Sequence, residues 1–194
     1  MKSRNESALA LSYSGVSIVL HWLTAFLVIA IFALALAPGL VKGSIALHNT
    51  LGVLLLVLVP LRAAWRALEG GTINHADEPR FMRLLAKSVH GALYLLLVTV
   101  PVLGLMYVDA KGVPFTLFGA ALPQIVYYNR ELAQTLYAVK TVLAYGMLAL
   151  IFVHAAAAIA YHHFFRRDRV LRSMLVVAPA AGEPSRGGYV PTIL

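Results

Sequence analysis

The sequence contains no cysteine. Thiolate metal sites, iron–sulfur clusters, disulfides and covalently attached c-type haem are therefore excluded. Charge is also scarce: Asp, Glu, Lys and Arg make up only 12% of the 194 residues, about half the share usual in a soluble domain. There is no internal repeat, no glycine-rich phosphate loop and no stretch with the composition of a soluble domain. Apolar residues abound, at 60% of the chain. The net charge of +8 would suit nucleic acid, but in so apolar a chain it is explained by basic residues flanking membrane spans. A nucleic-acid partner is not expected.

Four apolar stretches are long enough to cross a bilayer, which takes about 20 residues of helix. They run Val16 to Leu40, Ile45 to Leu68, Val89 to Val108 and Leu132 to Phe165. The fold class expected is all-α integral membrane, a bundle of four transmembrane helices in contact with lipid. The first span reads as a retained helix rather than a cleaved signal, being too long and lacking a small-residue cleavage site. Pro38-Gly39 terminates it. Pro60 and Pro101 fall inside spans two and three, as kinks that neighbouring helices accommodate. Residues 1–175 form one membrane domain, and 176–194, rich in Pro, Gly and Ala, a disordered tail.

The loops orient the bundle. Lys2, Arg4, Arg62, Arg66, Arg80, Arg83, Lys87, Arg166, Arg167, Arg169, Arg172 and Arg186 lie on one side, and only Lys42, Lys111, Arg130 and Lys140 on the other. This bias predicts that the first set, and both termini, are cytoplasmic in a bacterial inner membrane. The outer loop from Asp109 to Asn129 is long and aromatic, with Phe115, Phe118, Tyr127 and Tyr128, as suits the interface.

Ionisable residues within spans are costly and are functional candidates by default. Four histidines qualify: His21, His48, His90 and His154. Helix direction puts His21, His90 and His154 in the inner leaflet and leaves His48 alone in the outer one. His75 lies in the cytoplasmic loop, and His162 and His163 at the inner end of span four. Two neutral imidazoles on facing helices can hold a haem iron from both sides. His21 and His154 supply such a pair, with His90 to spare. The small residues Ala155 to Ala158 allow close approach of a flat macrocycle or a helix. A single such histidine would more simply pack a helix by donating to a carbonyl; three at one depth favour ligation.

Several segments resemble the bacterial cytochrome b561 family, whose members include superoxide:ubiquinone oxidoreductases. They are Ser17-Ile18-Val19-Leu20-His21-Trp22-Leu23, the stretch from His48 to Arg62, Lys87-Ser88-Val89-His90, Pro101-Val102-Leu103-Gly104-Leu105, His154-Ala155-Ala156-Ala157-Ala158 and His162-His163-Phe164. They occur in order between Ser17 and Leu175, and their ordered set carries the likeness. The resemblance implies a four-helix bundle with two b haems across the membrane and a quinone site. It pairs His21 with His154 at the inner haem. It assigns the outer haem to His48 and a histidine fourteen residues before His154, a position held here by Lys140.

Position 140 keeps a ligand's geometry. Fourteen residues return to within about 40° of the same helix face, and rise about 21 Å, to the depth of His48. Three readings follow: Lys140 snorkels and the second haem is absent; His48 holds that haem with another sixth ligand or none; or His48 and Lys140 ligate it together. Tyr128, Tyr137 and Tyr145 are nearby phenols. The resemblance sets His90 beside the inner haem but outside the ligand set, where it could bond a quinone carbonyl or a haem propionate. Arg62, Arg66, Arg83 and Lys87 suit propionates, or serve only as positive-inside residues. Tyr161, His162 and His163 suit an interfacial belt.

The function expected is a membrane b-type cytochrome that moves electrons to or from a quinone. In the sharper version of the resemblance, superoxide or another periplasmic donor reduces it and ubiquinone is the acceptor. Lys140 weakens that version by altering the outer site, whereas Lys140 and Lys42 could draw an anion to the outer face. The alternatives are a haem-bearing anchor that relays electrons for a peripheral dehydrogenase or hydrogenase, and a membrane protein that has lost haem.

Overall fold

The structure is a computed structural model, and it describes residues 14–39, 41–69, 80–117 and 120–159. His75, Phe118, Tyr161, His162, His163 and the tail 176–194 lie outside the described residues. Four long helices follow in order: α1 (Gly15–Leu36), α2 (Ser44–Leu68), α3 (Arg80–Ala110) and α4 (Arg130–Ile159). All four are long and apolar enough to span a membrane. Two short antiparallel strands, β1 (Thr116–Leu117) and β2 (Ala120–Ala121), lie between α3 and α4. The sequence pattern predicts only a loop there.

Helices adjacent in sequence pack against one another and alternate in direction. Phe26, Ile29, Val57, Leu95, Val142 and Phe152 are each more than 60% exposed. Water would not tolerate such continuous apolar cover, and lipid requires it. One core layer crosses mid-bundle: Val28 of α1, Leu55 and Val59 of α2, Leu97 of α3 and Met147 of α4. A second cluster, Ala110, Ala133 and Leu136, joins α3 to α4 at the hairpin end.

Pro60 and Pro101 lie inside α2 and α3, and both helices continue through them. Helix α3 begins at Arg80, nine positions ahead of the apolar run. Its first turns are good helix formers carrying Arg80, Arg83 and Lys87, so the helix outruns the apolar window. The turn after α3 needs the left-handed backbone of Gly112, with φ 69°. A Cβ there would also come within 3.2 Å of the Tyr128 ring. Asp109 ties the following loop back: its Oδ2 accepts from the amide of Ile125 at 2.6 Å. Asn129 then caps α4, accepting from the amide of Leu132 at 3.0 Å.

The opposite end is fastened by Glu69, directly after α2. Its carboxylate accepts from Ser14 Oγ, from Ser17 Oγ at 2.5 Å, from Trp65 Nε1 at 2.8 Å and from Arg66 Nη1 at 3.4 Å. The two serines begin α1, so Glu69 sets the start of α1 against the end of α2. Arg62 and His21 lie one or two turns further into the bundle on those same helices.

Candidate functional site

The core layer separates two polar layers. On α4 they are spaced by heptads: Lys140, then core Met147, then His154. Each step of seven residues rises about 10.5 Å.

The layer nearer Glu69 gathers His21 from α1, Arg62 from α2, His90 and Tyr94 from α3, and His154 from α4. Arg62, His154 and His90 are the charged or chargeable neighbours of His21. Arg62 Nη2 donates to His21 Nδ1 at 2.7 Å, and the guanidinium lies 5.5 Å from the centroid of the Tyr94 ring. His90 and His154 meet edge to face, with centroids 5.0 Å apart. His90 Nδ1–H donates to the carbonyl of Ala86 at 2.6 Å. The ring therefore keeps its lone pair on Nε2. His90 is exposed, whereas His21 and His154 are half-buried. Trp22 edges His21, with centroids 5.8 Å apart, and buried Thr24 satisfies its hydroxyl on the Leu20 carbonyl at 2.7 Å.

The layer nearer the hairpin holds His48 and Lys140, close enough for the lysine charge to act on the imidazole. His48 Nδ1–H donates to the carbonyl of Ile31 on α1 at 2.9 Å. Lys140 Nζ lies 5.7 Å from the ring centroids of both Tyr107 and Tyr137.

The histidines expected at one depth, His21, His90 and His154, thus share a layer, and Lys140 shares one with His48. Arg62 joins the inner layer. Arg66 turns instead to Glu69. Tyr94 and Tyr107 escaped the sequence reading. Tyr94 follows His90 by four residues and Tyr107 follows Gly104 by three, spacings that put each pair on one helix face.

The pattern that defines prokaryotic cytochrome b561 matches residues 12–176. The chain belongs to this family. It is 30% identical to cytochrome b561 homolog 2 of Escherichia coli (strain K12) over 171 residues, covering 84% of this chain and 90% of the relative. It is 30% identical to the probable superoxide oxidase CybB of Yersinia pestis over 168 residues, covering 84% and 95%. Cytochrome b561 homolog 1 of Escherichia coli (strain K12) is 25% identical over 170 residues, covering 84% and 96%. This cytochrome b561 is a bacterial membrane protein and a b-type cytochrome.

The residues present fit b haem in both layers. The candidate donors are the imidazoles of His21, His90 and His154 in one layer and, in the other, the His48 imidazole beside the Lys140 amine, with no thiolate and no acidic group among them. His48 meets the ligand requirement directly: its Nδ1–H is spent on a carbonyl, which holds the Nε2 lone pair outward. Gly52, one turn further along α2, has nothing within 4 Å of where a Cβ would stand, leaving room for a flat group. His21 meets the requirement once Arg62 releases its Nδ1, because an imidazole with the arginine donating to Nδ1 carries its hydrogen on Nε2. Among the described residues, no three His, Asp or Glu converge on a single bare ion.

Proposed function

We propose that this cytochrome b561 passes electrons from superoxide at the hairpin end to a quinone at the opposite end. The observation that carries this reading is the convergence of His21, His90 and His154 from three helices, with Arg62 beside them. In this reading His21 and His154 would be the residues that hold a b haem. When bound, that haem supplies one-electron exchange between ferric and ferrous iron. Arg62 has the charge and fork geometry to bind a propionate carboxylate.

His90 is the residue for quinone. A lipid-soluble quinone arrives through the bilayer, and His90 is exposed. Its Nε2 accepts a hydrogen bond from a quinol hydroxyl and, once protonated, donates one to a quinone oxygen. Its edge contact with His154 puts this exchange beside a ligand of the electron carrier. The net reaction balances: two superoxide anions each lose one electron to become dioxygen, and a quinone takes two electrons and two protons to become quinol. Support for superoxide as donor comes from the relative named probable superoxide oxidase and from the cations Lys140 and Lys111 at the hairpin end. The anchor reading is not favoured, since the relatives named above are called cytochromes b561 and a probable superoxide oxidase, none of them an anchor subunit. The excess of basic residues argues that the Glu69 end and both termini face the cytoplasm of a bacterial inner membrane.

The test is anaerobic reduction of the purified protein by superoxide, with and without ubiquinone. Reduction of the haem spectrum by superoxide, followed by reoxidation on adding quinone, is expected. A spectrum that superoxide leaves oxidised would defeat the assignment of donor.

A further inference from the structure

The hairpin layer is built unlike the Glu69 layer. His48 is poised to ligate through Nε2, its Nδ1–H being held by the Ile31 carbonyl. Lys140 is the other half of the layer. Its Nζ faces two tyrosine rings, Tyr107 and Tyr137, which lean on each other with centroids 5.5 Å apart. The faces of aromatic rings attract an ammonium cation. Gly104 accommodates the lysine stem: a Cβ there would lie 3.8 Å from Lys140 Cδ, in ordinary contact. Lys111 Nζ lies 5.4 Å from the same Tyr107 ring, so two cations flank it.

We propose that this layer holds its b haem through His48 alone, and that Lys140 serves as the charge partner of a small anion bound there. With His48 as its one protein ligand, the haem would leave room for such an anion. An ammonium held in an apolar layer stabilises the anion more than it would in water. Superoxide belongs to this chemical class, as do azide and cyanide. The inference rests on reading the chain as a haem-bearing redox protein, and it specifies where the donor meets it.

The experiment uses the purified full chain in detergent, with haem per polypeptide from the pyridine haemochrome and the ferric spin state from optical and EPR spectra, under titration with azide. Two haems per chain are expected, one low-spin and one high-spin, with azide converting the second to low-spin. Lys140→Met should keep both haems and weaken azide at least about tenfold, the scale of one partly screened charge pair. Lys140→Arg, which keeps the charge, should retain most of the affinity. Lys140→His should give two low-spin haems that ignore azide. One haem per chain, or two azide-insensitive low-spin haems in the unmodified protein, would overturn the proposal. So would unchanged azide affinity in Lys140→Met. A chain with no haem would overturn the reading beneath it instead.

Discussion

Arg62 Nη2 donates to His21 Nδ1 at 2.7 Å, joining α2 to α1. Arginine is a permanent donor, so the imidazole must present its lone pair at Nδ1 and carry its hydrogen on Nε2. Iron at Nε2 needs the opposite tautomer, in which two donors would face each other. On the proposed ligation, Arg62 would therefore leave His21 when the haem enters. Arg62→Gln should take up haemin into the haem-free protein up to about tenfold faster, the scale of one charge-assisted hydrogen bond. Stopped-flow Soret absorbance measures this, and an unchanged rate would show that the contact does not hold the site closed.

His154→Ala should abolish the α-band of the haem held with His21. Both half-buried rings belong to one layer, and in the proposed pairing loss of either would leave the haem short of a ligand. A reduced spectrum identical to that of the unmodified protein would sink the pairing.

His90→Ala should keep the haem and lose quinone-linked turnover by roughly 10²-fold, within the range expected for loss of a positioned acid–base group. The spectrum separates the alternatives: if haem disappears with the side chain, His90 is a ligand and the pairing of His21 with His154 is wrong.

Glu69 makes a prediction about pH. Partial burial acts to raise its pKa, but hydrogen bonds from Ser14, Ser17, Trp65 and Arg66 to the ionised carboxylate outweigh it, and the net shift is downward from 4.5. A depressed folded-state value means that the stabilisation is present above pH 4.5 and is lost as pH falls through the folded value. Glu69→Gln should thus melt a few degrees below the unmodified protein at pH 7, for a cost of roughly 1 kcal/mol at this partly exposed site. The gap should close below pH 4.5. Circular dichroism melts of both proteins across pH 3 to 7 are the measurement, and a gap that persists at the acid end would refute the role of the charge.

The sequence by itself determined the four spans and the depths of the site residues. Apolar run length sets where a helix crosses, and helical rise then fixes that His21, His90 and His154 share a layer and that Lys140 lies level with His48. These are local quantities, one residue at a time along an axis. The helical start of α3 at Arg80 fell outside that logic because helix and membrane core need not end together. The tertiary structure alone decided how each helix is rotated about its axis. In water the buried face of a helix is marked by its apolar stripe; in lipid every face is apolar, so that marker is lost. The packing of Val28, Leu55, Val59, Leu97 and Met147 sets the rotations instead. It turns Arg62 onto His21 and Lys140 onto Tyr107.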